Sequence, residues 1–274
     1  MRRSLALMSV LLAVHAAPRA QGGEEVPFIT TPDHVTLAML RLAGVGARDH
    51  VIDLGSGDGR IVITAARRFG ATGLGVEIVP ELVERSRRNA EKAGVAGRVA
   101  FREQDLFQTD LSAAHVVTMY LLPEVNLQLR PRLLQLAPGT RIVSHDWDLG
   151  DWLPDRTLTV DVPDKAVGRE KLSRLHLWVV PAAVEGLWCA AGGTELQVLQ
   201  RYQVVQMHWR RGADRQLYTG RLDGSRLRLL GPAPHPALSG RVDGDGLVLQ
   251  PGRPGRQAAV PQRFVRASGA ACPA

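Results

Sequence analysis

The chain has only two cysteines, Cys189 and Cys272, and only three lysines, Lys92, Lys165 and Lys171. Two cysteines are too few for a thiolate cluster, and no Cys or His spacing matches a metal site, so no metal is expected. Aromatic residues make up 5% and nowhere alternate with a basic run. A stacking platform for single-stranded nucleic acid is therefore not expected, despite a formal charge of +7. The excess charge is also uneven: residues 1–180 hold 22 basic and 21 acidic residues, and residues 181–274 hold 12 and 6. Long apolar runs are missing too, apart from the start of the chain. There Met1-Arg2-Arg3 precedes an apolar stretch from Ser4 to Ala13, followed by the small residues Ala16, Ala17 and Ala20. That layout predicts a secretory signal peptide or N-terminal anchor over 1–20, with Val14-His15-Ala16 as a cleavage site. The expected location is periplasmic, secreted or membrane-anchored, and cytoplasmic if the segment is not a working signal. In an exported chain the two cysteines suggest a disulfide, with two unrelated thiols as the alternative.

What is present is a regular alternation of strands and helices. Thr31 followed by Pro32 reads as a helix start, Thr as N-cap and Pro at the first helical position. Strands are predicted at 50–54, 73–78, 98–102, 115–121 and 141–145, with helices ending near Gly44, Gly70, Gly94 and Leu136. Strands that alternate with helices form parallel βαβ crossovers. Two further strands, 157–162 and 174–180, complete a seven-stranded doubly wound α/β domain over 27–180. Beyond Pro181 short alternating segments are separated by turn signals at Asp223-Gly224, Asp243-Gly244-Asp245-Gly246 and Pro251-Gly252. They predict a β-rich domain over 184–274, an antiparallel meander that is either a small barrel or an open sheet.

The chemistry concentrates at the ends of the first-domain strands. Strand Val51–Leu54 runs into Gly55-Ser56-Gly57-Asp58-Gly59, which opens a helix, and Glu77 ends the next strand. A turn that holds a pyrophosphate reads Gly-x-Gly-x-x-Gly and offers free N–H groups to an anion. Here the spacing is Gly-x-Gly-x-Gly, with Asp53 before it and Asp58 inside it. Two carboxylates repel a pyrophosphate and attract an ammonium and a sulfonium, so the expected cofactor is S-adenosyl-L-methionine. Asp53 is assigned to the ammonium and Glu77 to the ribose hydroxyls. Asp105 is assigned to the adenine amino group, with Leu106 packing the ring, and Thr31 joins the binding set. Tyr120, at the end of the fourth strand, and Pro123 just beyond it are placed next to the transferring methyl, with a buried structural tyrosine as the alternative. His145 and Asp146 end the fifth strand, where either can position or deprotonate an acceptor, with a structural role for His145 as the alternative; neighbours on a strand point oppositely, so they are not expected to act as a dyad.

Six motifs together carry a family resemblance: Pro27–Pro32, Asp53–Arg60, Asp110–Val117, Tyr120–Asn126, Pro138–His145 and Gly150–Asp155. Across about 27–180 the chain resembles the ATP-synthase c-subunit lysine N-methyltransferases, a family of class I, seven-β-strand enzymes; Thr30 replaces a proline of that pattern. The resemblance implies a methyltransferase fold and transfer to the amine of a protein lysine. A protein substrate is thus the expected partner, with membrane association possible through the N-terminus. Methylation of a small molecule or lipid headgroup, and an exported binding protein on the same fold, are the alternatives. The oligomeric state is not legible.

Overall fold

A computed structural model describes residues 29–166, 170–233, 235–251, 261–269 and 271–272. The expected signal peptide and the first two residues of the Pro27–Pro32 motif lie outside these.

The first domain is a seven-stranded sheet. Its strands are β1 (His50–Leu54), β2 (Thr72–Glu77), β3 (Val99–Glu103), β4 (Val116–Met119), β5 (Arg141–His145), β6 (Arg156–Asp161) and β7 (Leu172–Val179), in spatial order β3-β2-β1-β4-β5-β7-β6. Strands β1 to β5 are parallel, and β7 runs antiparallel to both β5 and β6. The chain moves outward from β1 to β3 and then returns to β4 on the other side of β1. A crevice therefore opens at the carboxyl ends of β1 and β4, the switch point at which sheets of this kind bind ligands. Both sheet faces are covered, so the central strands are buried throughout: β4 is buried at all four positions.

Helices α1 (Asp33–Leu42), α2 (Arg60–Phe69) and α3 (Pro80–Lys92) cover one face, where Val35, Met39, Leu40, Val62 and Ala65 are fully buried. Helix α4 (Pro123–Leu133) covers the other with Leu129, Leu133, Trp152 and Trp178. Two helix ends differ from expectation. Thr31 does not cap α1: Pro32 precedes the helix in extended conformation, and the Thr31 hydroxyl is turned inward to His145. Helix α4 stops at Leu133, short of Leu136, two residues after Pro131, which lacks the N–H that would bond to Leu127.

The second domain is a closed antiparallel barrel of β8 (Gly186–Ala190), β9 (Thr194–Arg201), β10 (Val204–Arg211), β11 (Asp214–Asp223), β12 (Arg226–Leu230), β13 (Leu238–Asp243), β14 (Gly246–Pro251) and β15 (Gln262–Arg266). Alternate residues fill its interior, among them Trp188, Leu196, Met207, Leu247 and Phe264. Closure depends on β8, which pairs with β9 on one side and β15 on the other and so closes the ring. Tyr202 takes the left-handed region at φ 53° in the turn between β9 and β10. Cys189 and Cys272 are joined by a disulfide.

The barrel docks on the segment between β5 and β6. The buried Gln203 amide accepts from Trp152 Nε1 at 3.0 Å and donates to the Leu153 carbonyl at 2.7 Å. Tyr202 stacks on Trp152, and Arg221 pairs with Asp155 at 3.0 Å.

Candidate active site

A cleft of about 1370 Å³ lies over the carboxyl ends of β1, β2, β4 and β5. It exceeds the few hundred to about 1,000 Å³ of an ordinary small-molecule pocket, leaving room for a second reactant. Its floor is the glycine turn. Gly55, Gly57 and Gly59 have φ of 73°, 55° and 80°, a region that side-chain-bearing residues rarely enter. A Cβ on Gly55 would lie 2.8 Å from Leu121 Cδ2, so the backbone approaches the cleft because nothing stands on it. Gly59 does not line the cleft; it caps α2 and faces Phe101.

Asp53 lies beneath this turn with 2% of its surface exposed. Burial pushes its carboxyl up to about 7; the hydrogen bond from Thr118 Oγ1, 2.7 Å away, pulls it down, and Glu77 and Asp58 push it further up. A carboxylate in that condition gains from a cation brought to it. Ser56 Oγ, buried in the turn, has no hydrogen-bond partner among the described residues. Glu77 fixes the rim: Oε2 accepts from Gly57 N–H at 2.9 Å, and Oε1 from Ile78 and Val79 N–H at 2.8 and 3.1 Å. A carboxylate has about four acceptor positions, so one remains on Oε2 for a hydroxyl donor.

Two expected ligands are occupied within the protein. Asp58 is held by Arg60, with Nη2 at 2.7 Å and Nε at 2.9 Å, so its charge is neutralised locally. Arg60 also donates to the Thr31 carbonyl at 2.8 Å, tying the glycine turn to the segment ahead of α1. Asp105 caps the short turn Leu106–Gln108 through Phe107 N–H at 2.8 Å. Its second oxygen has a long 3.4 Å contact with Gln108, and the residue lines the cleft together with Leu106 and Phe107.

At the other end Tyr120, Asp146, Trp147, Lys165 and Arg174 line the wall. Burial, with the Asp146 charge and hydrogen bond adding to it, raises the Tyr120 hydroxyl to about 12. It stays protonated at neutral pH and is no general base. Its hydroxyl donates to Asp146 at 3.5 Å and keeps its lone pairs for an amine N–H. Asp146 sits at φ 66°, with its carboxylate accepting from Arg174 N–H at 3.0 Å. The left-handed backbone defeats strand alternation: its Oδ2 comes within 3.6 Å of His145 Nε2, where an extended chain would separate them.

His145 itself is not on the cleft surface. It is 1% exposed behind Tyr120, whose ring stacks on it at 4.0 Å, and its nitrogens face Thr31 Oγ1 at 3.1 Å and Ser173 Oγ at 2.8 Å. Burial lowers its pKa to about 4, with Asp146 opposing and Lys165 assisting. A neutral imidazole between two hydroxyls supports the wall and does not meet a substrate. Pro123 likewise is not part of the lining; it opens α4 at the first helical position, next to Leu122, which is. The sequence reading missed three supports, Arg60, Thr118 and Asn126. Asn126 Nδ2 donates to Ser144 Oγ and to the Trp147 and Asp148 carbonyls, fixing the segment after β5. Arg60 and Asn126 lie inside quoted motifs, but a motif shows neither the Arg60–Asp58 pairing nor the partners Asn126 finds after β5.

The donor set fits S-adenosylmethionine. A buried carboxylate awaits an ammonium, a rim carboxylate has a free acceptor position, and the bare glycine turn lets a bulky nucleoside approach. Comparisons with known proteins agree. Residues 53–156 match the family model of the ANTKMT methyltransferase domain. A protein-lysine N-methyltransferase from Saccharolobus islandicus (strain REY15A) is 45% identical over 138 residues, 50% of this chain and 86% of that protein. The human ATP-synthase c-subunit lysine N-methyltransferase is 36% identical over 131 residues, 47% of this chain and 54% of the human protein, so only about half of it is spanned. A solved structure, an RNA methyltransferase from Salinibacter ruber in complex with S-adenosyl-L-homocysteine, is 52% identical, with a TM-score of 0.52, over 57% of this chain and 96% of that one. Glycine turn, buried carboxylate and relatives lead to one identification: this chain belongs to the ANTKMT-type family of S-adenosylmethionine-dependent methyltransferases.

Proposed function

We propose that the chain methylates the side-chain amine of a protein lysine. The observation that carries this reading is the 45% identity to the Saccharolobus islandicus protein-lysine N-methyltransferase over 138 residues. The cofactor, when bound, supplies an electrophilic methyl on a sulfonium that is a good leaving group. Asp53, Glu77 and the glycine turn bind and orient it, so catalysis is mainly alignment. The lysine must also be neutral when the methyl is transferred. With a free pKa near 10.4, deprotonation at pH 7 costs about 4.6 kcal/mol. Desolvation against Leu121, Leu122 and Val125 lowers that cost, and the Tyr120 oxygen can accept an N–H and aim the lone pair. Incubation of the full chain with S-adenosylmethionine and basic proteins, followed by peptide mass spectrometry, tests the reading. Methyl marks on lysine support it; marks found only on other groups reject it.

A second reading has its own support. The Salinibacter relative is named an RNA methyltransferase, and Trp147 and Phe107, 44% and 37% exposed at the cleft, are surfaces on which a base can stack. Offering RNA and protein in one reaction and locating the mark decides between them.

Export is also proposed, supported by the Cys189–Cys272 disulfide and the apolar N-terminus. Fractionation with N-terminal sequencing of the mature chain tests it: a start beyond residue 16 outside the cytoplasm is expected, and an intact Met1 in the cytosol rejects it.

A further inference from the structure

Among the chain's three lysines, Lys165 alone lines the cleft. Its side chain is 14% exposed, and its ammonium lies 2.7 Å from Asp146 Oδ2 and 2.6 Å from the Leu172 carbonyl. The same Asp146 oxygen receives the Tyr120 hydroxyl. Asp146 is unusually well fixed for an acid at a cleft wall. It takes a left-handed φ, its N–H donates to the Arg174 carbonyl at 2.6 Å, and its other oxygen accepts from Arg174 N–H. The carboxylate is thus held ready for an ammonium, at the end of the cleft away from Asp53 and Glu77, and a lysine of the chain itself is the ammonium on it.

We propose that Asp146 is the subsite for the acceptor's ammonium and that Lys165 is its resident occupant, displaced when a substrate lysine enters. This rests on the lysine reading above. A primary alkylammonium and the Lys165 head present the same charge and the same three donors, so they compete for one carboxylate. Among the described residues, the other charged groups that line this end are Glu170 and Arg174, which pair with each other at 2.8 Å. His145, also near Asp146, is neutral at pH 7 and does not compete. An occupied subsite lowers apparent affinity by the fraction of time it is free.

The test uses the full chain and two probes. The first is butylammonium, titrated by calorimetry without cofactor. Lys165→Met is expected to bind it on the order of tenfold tighter than the native chain, as expected when about one-tenth of the native subsites are free. Asp146→Asn is expected to lose binding. The second probe is a lysine peptide with S-adenosylmethionine. There Lys165→Met is expected to lower KM by a similar factor, whereas Lys165→Arg, which keeps the charge on Asp146, should stay near native. Equal or weaker butylammonium binding by a folded Lys165→Met chain that still binds cofactor overturns the proposal. If Lys165→Met does not fold, Lys165→Gln and the native chain decide. In the native chain, butylammonium must raise the rate at which an aldehyde and borohydride modify Lys165 relative to Lys92 and Lys171; an unchanged ratio overturns the proposal. Peptide methylation that is unaffected by Lys165→Met overturns this inference alone. No lysine methylation by any variant, with cofactor bound, overturns the lysine reading, and the butylammonium result still judges the subsite.

Discussion

The Thr118 hydroxyl donates to the buried Asp53 carboxylate at 2.7 Å, from the neighbouring strand and one residue short of the strand end. This bond is the influence that opposes burial in setting where Asp53 ionises. Because the folded value near 7 lies above the unfolded 3.8, the folded state holds the extra proton between them. Stability from this group is therefore full below pH 3.8 and is lost as pH rises to about 7. Cofactor binding has the opposite sign, since its ammonium needs the ionised acid. Affinity for S-adenosylmethionine is expected to fall as pH drops below about 7, with proton release on binding near pH 6. Asp53→Asn should flatten that profile. Calorimetry in buffers of differing ionisation enthalpy measures both.

Thr118→Val removes the donor and keeps the shape. The buried acid then loses its side-chain partner, at a cost of about 1–3 kcal/mol in stability when ionised. Urea unfolding at pH 8 should show the loss, and it should shrink at pH 5, where Asp53 is protonated.

His145 gives a pH effect of the other sign. Its folded pKa, about 4, lies below the unfolded 6.5, so stability is complete above pH 6.5 and is lost as pH falls through 4. The span corresponds to on the order of 3 kcal/mol. His145→Gln, which keeps polar atoms between Thr31 and Ser173, should remove most of this acid sensitivity in thermal melts at pH 4 and pH 7.

Tyr120→Phe keeps the ring on His145 and removes the oxygen. Losing one hydrogen bond to the reacting amine, worth about 1–2 kcal/mol, should lower kcat roughly tenfold. Cofactor affinity should stay unchanged, because Tyr120 stands at the acceptor end. Steady-state kinetics beside product-binding titration checks the split.

The disulfide links residues 83 positions apart at the two ends of the barrel sequence. Replacing both cysteines with serine is expected to destabilise the barrel by about 2–5 kcal/mol, read as a lower melting transition, while cofactor binding by the first domain persists. A coincident loss of binding would show that the barrel holds the cleft in shape.

The strand-end architecture was legible because βαβ crossovers leave periodic signals, and because the spacing of glycines around Asp53 specifies a turn that few other chemistries need. The barrel was legible as strands but not as a closed ring. Its closing strand, β8, is only five residues long, and its inward anchor, Trp188, sits in a sequence with little alternation. The hairpin signal that reveals it, Gly192-Gly193, follows directly. At the site, Asp58 and His145 show what a linear reading omits. The motif locates Asp58 and Arg60 but not their pairing, and strand position locates an imidazole but not the Tyr120 ring that covers it. The approach of Asp146 to His145 escaped for a different reason: strand alternation assumes extended backbone, and Asp146 leaves it.

Titration of S-adenosyl-L-homocysteine into the native chain, Asp53→Ala and Glu77→Ala at about pH 8, a unit above the Asp53 value, bears most directly on the whole account. One molecule bound per native chain, weakened sharply in both folded variants, is the predicted result. No binding by the folded native chain, or binding indifferent to both carboxylates, would contradict it.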